Sequence, residues 1–407
     1  MKVLQVNAYA MSGGASVAAR RLCTALNSSG VESLFLVQNA EGFRDGALRT
    51  TGDRWARHRP VLDALPVMPW RHRRSPHWGN AWLGNRATRK TIEDCAPDIT
   101  HLHWINHGML SLKDLRSLKG PVVWTFHDSW AFTGGCHSPQ DCRRYCECCG
   151  KCPELGSRRD YDLSRWNWRR KRKAWQEADF AVIAPSRWMA ELVRCSSLHG
   201  KRRIEIIPNV VDAGTFYPMD RKLARQALGL PADVPLLLFG AHGAATDWNK
   251  GLDLLAAAIP RVQSAVKNTG TVLAGCAPEC CSRFKGLVHN MGVLSTPQMA
   301  LAMNAANAVV IPSRMENLPY MAAESLTCGT PVAAFAVGGI PEMIRDGVTG
   351  RLASPGDVGE LAEGIVDLLV HGDDMREACT KYARAAFAPD VVARRHIEFY
   401  HSVLKRS

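Results

Sequence analysis

Short apolar, β-branched runs recur along this chain with helix-length stretches between them, and the pattern occurs twice. In the first half the runs fall at residues 2–7, 33–38, 98–103, 121–127 and 180–185; in the second at 234–240, 270–276, 286–292, 308–312 and 331–337. Strand–helix alternation of this kind is satisfied by a parallel sheet with crossover helices. At 407 residues the chain also exceeds what one core usually serves. Two doubly wound α/β domains are therefore predicted, 1–208 and 209–388. The boundary is placed where the run Ile207-Pro208-Asn209-Val210-Val211-Asp212 breaks into a turn. Residues 389–407 read as a helix without a strand partner, expected to pack back on the first domain.

No stretch is apolar for long enough to cross a bilayer without Gly, Pro or polar interruption. Met1 to Asn7 reads as a first strand and not as an export signal, so a cytoplasmic chain is expected. In that compartment the fourteen cysteines point to thiols or metal ligands before disulfides. The net charge of +13 suits nucleic acid, anionic lipid or phosphorylated substrates without choosing among them. Its distribution narrows the choice. Arg165, Arg169, Arg170, Lys171, Arg172 and Lys173 interleave with Trp166, Trp168 and Trp175. Arg54, Arg57, Arg59, Arg71, Arg73 and Arg74 stand near Trp55, Trp70, Trp78 and Trp82. Such mixtures fit a peripheral face on an anionic membrane, and equally a solvated helix face with buried indoles. No nucleic-acid partner is expected.

The stretch from Ile311 to Glu324, IPSRMENLPYMAAE, carries the most chemistry. It leaves a strand, passes Glu316 in a loop, meets Pro319 where a first helical turn accepts proline, and ends its helix near Gly329. Backbone N–H groups at Asn317 and Leu318, with the positive end of the helix dipole, make an anion site suited to a nucleotide diphosphate. Glu316 and Glu324 flank that site and read as acceptors for sugar and ribose hydroxyls. The alternative is that both glutamates only complement the helix dipole.

Glu316 and Glu324 stand eight apart, followed by Cys328-Gly329-Thr330-Pro331-Val332 and Gly338-Gly339-Ile340-Pro341-Glu342. This pattern resembles the donor-binding half of the retaining glycosyltransferases of family 4, which have the GT-B fold of two Rossmann-like domains facing across a cleft. The resemblance continues through Gly13-Gly14, His127-Asp128, residues 208–212 and Lys250-Gly251. Residues 124–134, WTFHDSWAFTG, further resemble the colanic-acid and exopolysaccharide branch. It implies a nucleotide-diphosphate-sugar donor, a glycan or lipid-linked acceptor, and retention of anomeric configuration without a catalytic metal. Residue by residue, it implies that Glu316 contacts donor-sugar hydroxyls, Glu324 the ribose, Lys250 the diphosphate and His127 the sugar. Gly13 and Gly14 would border the reaction centre, although a plain tight turn explains them as well. The family's usual phosphate-binding arginine is missing from Phe239-Gly240-Ala241-His242-Gly243, which leaves Lys250, with His242 or Arg314, to neutralise phosphate.

Three further clusters remain. His101, His103 and His107 are read as packing and hydrogen-bonding residues and not as a zinc site. Cys136, Cys142, Cys149 and Cys152 form a candidate four-thiolate structural zinc site, with Cys146 and Cys148 spare; metal-free thiols, redox chemistry and disulfides are the alternatives. Asp160-Tyr161-Asp162 looks like a metal-diphosphate motif, but no apolar strand leads into it, and it is set aside. A sugar transferase is the reading these features favour. A nucleotide-sugar epimerase or hydrolase, and a zinc-stabilised membrane or nucleic-acid binding module, are its rivals.

Overall fold

Every pair of neighbouring named strands runs parallel, as crossover helices require, in a computed structural model that describes residues 1–41, 48–49, 55–70, 78–241 and 247–405. The chain divides into two units, residues 1–210 with 392–407, and residues 211–391. The first holds β1 (Lys2–Tyr9), β2 (Glu32–Asn39), β3 (Leu48–Arg49), β4 (Ile99–Leu102), β5 (Val122–Thr125), β6 (Ala181–Ala184) and β7 (Ile204–Ile206). Their order across the sheet is β3-β2-β1-β4-β5-β6-β7. The second unit holds β8 (Leu236–Gly240), β9 (Gly270–Ala274), β10 (Val288–Asn290), β11 (Ala308–Ile311), β12 (Val332–Phe335) and β13 (Gly350–Ala353), ordered β10-β9-β8-β11-β12-β13.

Both sheets are doubly wound. Strand order reverses between β1 and β4 in the first unit and between β8 and β11 in the second, and at such a reversal the loops leaving the strands diverge and open a crevice at their carboxyl ends. Helices on both faces explain why β4, β5, β6, β11 and β12 are buried along their whole length and show no polar alternation. Strands β3 and β13 were absent from the sequence reading, and the edge strand β7 was noticed only as the strand that runs into Pro208 at the domain boundary. The first is two residues long, β7 is a half-buried Ile-Glu-Ile, and β13 carries Gly350 and Arg351, so none gives a continuous apolar run.

The C-terminal helix, Pro389–Leu404, lays Val392, Ala393, Phe399 and Tyr400 against Val3, Leu26, Ile99 and Ile183 of the first unit. Arg203 stacks over the Phe399 ring at 4.7 Å and bonds the Ser402 hydroxyl at 2.6 Å. Arg395 bonds the Ile206 carbonyl at 2.5 Å. The first unit is thus built from both ends of the chain. Phe399→Ala is expected to lower stability by about 3 kcal/mol, measured as a fall in the urea midpoint; an unchanged midpoint would show that the helix adds little to the first unit.

Candidate functional site

In the second unit, the two strands that flank the reversal deliver the two residues of greatest chemical interest. The loop after β11 carries Glu316, and the segment after β8 carries Lys250 at the end of a single 3₁₀ turn, Trp248–Lys250. Lys250 Nζ donates to Glu316 Oε1 at 2.7 Å, and the Ser313 hydroxyl donates to the same oxygen at 3.1 Å. Burial pulls the Lys250 ammonium down, but the Glu316 carboxylate overrides it, and the net pKa is raised. Lys250 is therefore a fixed, fully charged cation at neutral pH.

The loops bearing this pair are stitched together. Arg314 N donates to the Asn249 carbonyl at 2.8 Å, and Asn249 Nδ2 donates to the Met315 carbonyl at 2.8 Å. Arg314 forms a two-pronged pair with Asp253 at 3.0 and 2.6 Å, donates to the Trp248 carbonyl at 2.6 Å and stacks on the Trp248 ring. That arrangement corrects the expectation of Arg314 as a phosphate ligand, because its guanidinium is committed to bracing the Lys250 turn. His242, the other expected substitute, lies outside the described residues.

Glycine is required twice here. Gly251 has φ +68°, and a β-carbon on it would overlap the Pro312 carbonyl. Gly338 has φ +58°, and a β-carbon there would overlap the carbonyl of Glu316, which also accepts the Gly339 N–H at 3.0 Å. The glycines after β12 and Lys250 thus let neighbouring backbone close over the Glu316 loop.

Glu324 is buried within the helix Tyr320–Thr327, and its charge, after burial, helps push the Cys328 thiol up to about 12. Pro319 is the residue preceding that helix and not part of its first turn. Asn317 and Leu318 consequently sit ahead of the cap, and the first-turn N–H groups belong to Tyr320 and the residues after it. The Asn317 and Leu318 amides expected to bind the anion are therefore not first-turn amides of this helix.

In the first unit, the loop after β1 ends at Gly13, whose φ of +84° favours glycine although open space surrounds it. Its carbonyl accepts from Ser16 and Val17, starting the helix Gly14–Ser28. His127 follows β5, half-buried, and stacks on His103. Burial drives its pKa to about 4 against the opposing charge of Asp128, so it is neutral at physiological pH. Asp128 is held below the usual carboxylate range: burial raises it, and the His137 contact at 2.7 Å with the Trp130 N–H at 2.8 Å outweighs that. His101 and His103 are likewise buried and neutral, as the packing reading expected.

Cys136, Cys142, Cys149 and Cys152 line one small cavity with Trp78, Thr133 and Ser164. The Gly134 N–H points at the Cys149 sulfur at 3.1 Å. Burial, reinforced by the neighbouring sulfurs, pushes Cys149 up to about 12, Cys152 to about 11 and Cys136 well above its ordinary value. Among the described residues no group of three or more His, Cys, Asp or Glu side chains is placed to hold a metal ion, and the cysteines are free. The four cysteines of the expected zinc site thus share one cavity without being drawn together into a metal-binding group. Asp162 caps the helix Leu163–Trp175 and Asp160 pairs with Lys151 at 3.1 Å, which accounts for both acids of the apparent metal motif.

Of the two readings of the basic tryptophan stretch at 165–175, the structure favours the helix face with buried indoles. Trp168 and Trp175 are core residues, and Lys171 is fully buried against Trp130, donating to the Trp130 and Thr133 carbonyls. Only Trp166 of the three indoles is exposed. The earlier stretch is different: Trp55, Val61, Leu62, Leu65, Met68 and Trp82 are all exposed, with Arg57 beside them. Arg54, Arg71, Arg73 and Arg74 lie outside the described residues.

Sequence reasoning missed Ser313, Asn249 and Gln5. The first was signalled by its position three residues before Glu316, and the last by an amide in the middle of an apolar strand. Gly338→Ala is expected to lose about 2 kcal/mol more than Gly229→Ala, since Gly229 shares a positive φ but has nothing within 4 Å of a β-carbon. Thermal denaturation of the two variants measures the difference; equal losses would mean that the Glu316 carbonyl exerts no steric demand.

Two family models divide the chain between them. Glycosyltransferase Family 4 matches residues 12–214, and Glycosyl transferases group 1 matches residues 236–371. The D-inositol 3-phosphate glycosyltransferase of Mycolicibacterium paratuberculosis is 36% identical over 206 residues, 47% of this chain and 45% of that protein. Its namesake in Mycobacterium tuberculosis is 37% identical over 189 residues, 42% of this chain and 38% of that protein. The chain thus spans about half the length, or less, of these curated relatives. Among solved structures, sucrose-phosphate synthase from Thermosynechococcus elongatus superposes with a TM-score of 0.70 at 18% identity, covering 100% of both chains. The Anabaena protein HepE, solved with UDP-glucose, gives 0.65 at 17% identity over 99% of this chain and 100% of its own. With both sheets doubly wound and each half matched by its own model, the chain belongs to the GT-B glycosyltransferases of group 1 and family 4.

Proposed function

We propose that this chain transfers a sugar from a nucleotide-diphosphate donor to a hydroxyl acceptor with retention of anomeric configuration. The observation that carries the reading is the Lys250–Glu316 pair at 2.7 Å, on two braced loops at the strand-order reversal, with Glu324 on the helix that follows. A rigid, charged ammonium at that crevice is suited to a diphosphate, whose negative charge grows as the glycosidic bond breaks. Glu316, already oriented by Lys250 and Ser313, has acceptor capacity left for sugar hydroxyls, and buried Glu324 for a ribose. HepE, of the same fold, was solved with UDP-glucose, which supports a nucleotide-sugar donor here.

In this reading the acceptor hydroxyl attacks from the face the diphosphate leaves, and the departing phosphate oxygen receives its proton. The donor base and sugar are set by a screen of UDP-, GDP- and ADP-sugars. Two acceptor classes enter that screen: a lipid-linked glycan, from the family branch resembled at residues 124–134, and a phosphorylated inositol, from the relatives' names. Product formed only with acceptor supports transfer, whereas acceptor-independent release of nucleotide or an epimer favours the epimerase or hydrolase alternative. Absence of thermal stabilisation by any nucleotide diphosphate favours the binding module.

A peripheral contact with the inner face of an anionic membrane accompanies this proposal. Val61, Leu65 and Met68 recur at helical spacing along Arg59–Ala64 and the 3₁₀ turn Leu65–Trp70, and Trp55 is 63% exposed. No helix among the described residues is long and apolar enough to cross a membrane. Binding to phosphatidylglycerol vesicles is expected for the wild type and is expected to be lost in Leu65→Ser/Met68→Ser; co-sedimentation measures both, and a wild type that stays in the supernatant removes the contact.

Lys250→Ala is expected to cut turnover on the order of a hundredfold while the melting temperature moves little, since Arg314, Asn249 and Asp253 brace the loops without it. Steady-state kinetics beside thermal denaturation measure this. Turnover close to that of the wild type would take Lys250 out of the reaction.

A further inference from the structure

Behind His127 a chain of buried polar side chains runs through the first unit. Gln5 stands in mid-β1 without exposed surface, a position where an unpaired amide atom is expensive. Its Oε1 lies 2.8 Å from His103 Nε2. His103 Nδ1 lies 2.9 Å from His127 Nε2, and the two rings stack with an 18° tilt. The nitrogen side of the same amide faces hydroxyls. Gln5 Nε2 donates to Ser33 Oγ at 3.4 Å, and Gln5 is also hydrogen-bonded to the Tyr400 phenol of the C-terminal helix. Tyr400 Oη then meets His101 Nδ1 at 2.6 Å, and His101 Nε2 meets Thr125 Oγ1 at 2.7 Å.

We propose that Gln5 and His103 are positioning residues that fix His127 as the tautomer protonated on Nε2, so that Nδ1 is its hydrogen-bond acceptor. The proposal rests on the reading of His127 as a contact for the donor sugar. A carbonyl oxygen can only accept, so the Gln5 amide requires the proton of His103 on Nε2. A neutral His103 carries one ring proton, which leaves Nδ1 as an acceptor. The bond at 2.9 Å then needs its proton from His127 Nε2. His127 is neutral too, so its Nδ1 carries no proton.

Burial holds all three imidazoles below their ordinary pKa, which keeps the one-proton count on each ring. The chemical consequence is directional. His127 receives a hydroxyl proton from the sugar and cannot give one. A donor sugar whose contacted hydroxyl is replaced by fluorine, an acceptor without a proton, would be rejected. The opposite tautomer would tolerate that substitution.

The direct test is ¹⁵N-edited NMR of the full chain with labelled histidine, the His127 signals being assigned by their disappearance in His127→Asn. The expected spectrum has a protonated, pyrrole-type Nε2 and a pyridine-type Nδ1 on His127. Gln5→Leu removes the fixed acceptor, so a second tautomer of His127 is expected to appear and kcat/KM for the donor to fall about tenfold. A wild-type His127 protonated on Nδ1, or a Gln5→Leu spectrum identical to the wild type, would overturn the proposal. Should Gln5→Leu fail to fold, the wild-type spectrum decides alone. The spectrum is recorded without donor, so it is separable from the reading beneath it. Unchanged kcat/KM in His127→Asn overturns the sugar contact, and with it the role given to the tautomer.

Discussion

The ion pair between Lys250 and Glu316 depends on where two parallel strands let go of the chain. Strand order reverses between β8 and β11, so the segments leaving those strands diverge, and a lysine and a glutamate from segments 66 residues apart in sequence meet at 2.7 Å. Neither loop could hold its charge there alone. The Lys250 turn is one 3₁₀ turn, too short to be stable without tertiary support. Arg314, Asn249 and Asp253 supply that support, while Gly251 and Gly338 allow the backbone to approach closely enough for the bonds to form. Removing the Lys250 charge therefore costs chemistry before it costs fold, because the bracing is carried by other residues.

The fold was legible in the sequence because parallel strands covered on both faces are continuous apolar runs, and ten such runs stand out against helix-forming stretches. Strands that lacked a run, β3 and β13, were missed for the same physical reason. Glu316 and Glu324 were legible by their spacing and Lys250 only through the family resemblance of Lys250-Gly251, and the structure brings Lys250 to Glu316. The extent of the helix after Glu316 was less legible: Pro319 signals a helix start but does not say whether it precedes or opens the first turn. That one-residue difference decides which amides the helix end offers.

Where the sequence left a choice open or misled, composition had been read without burial. Arg and Lys beside Trp at 165–175 look the same on paper whether the indoles face lipid or the core. Trp168 and Trp175 went inward and took the Lys171 ammonium with them, where burial pulls it down to about 7. Arg314 was a reasonable replacement for a missing cation until Asp253 was seen to hold it. The cysteine cluster is the same lesson in another form: spacing placed four thiols around one cavity, but spacing does not set the separations a metal needs. Gln5 was overlooked because a single polar residue inside an apolar strand does not disturb the run that identifies the strand.

The two units solve the problem of buried polarity differently, and the difference matches the ligands proposed for them. In the second unit the network is ionic, Lys250 with Glu316 and Arg314 with Asp253, and it keeps a full positive charge in place for a diphosphate. In the first unit the network around His127 is neutral, three imidazoles, an amide, a phenol and hydroxyls, with each ring carrying one proton. A neutral chain of fixed donors and acceptors has no charge to offer a phosphate and much to offer a hydroxyl, because a sugar is discriminated by the direction of its hydrogen bonds. Rearranging such a chain means turning several buried groups at once, each of which would pass through an unpaired state. Directional hydroxyl recognition in the first unit and charge in the second are thus set by the same principle: a buried polar group keeps only the state in which its partners hold it.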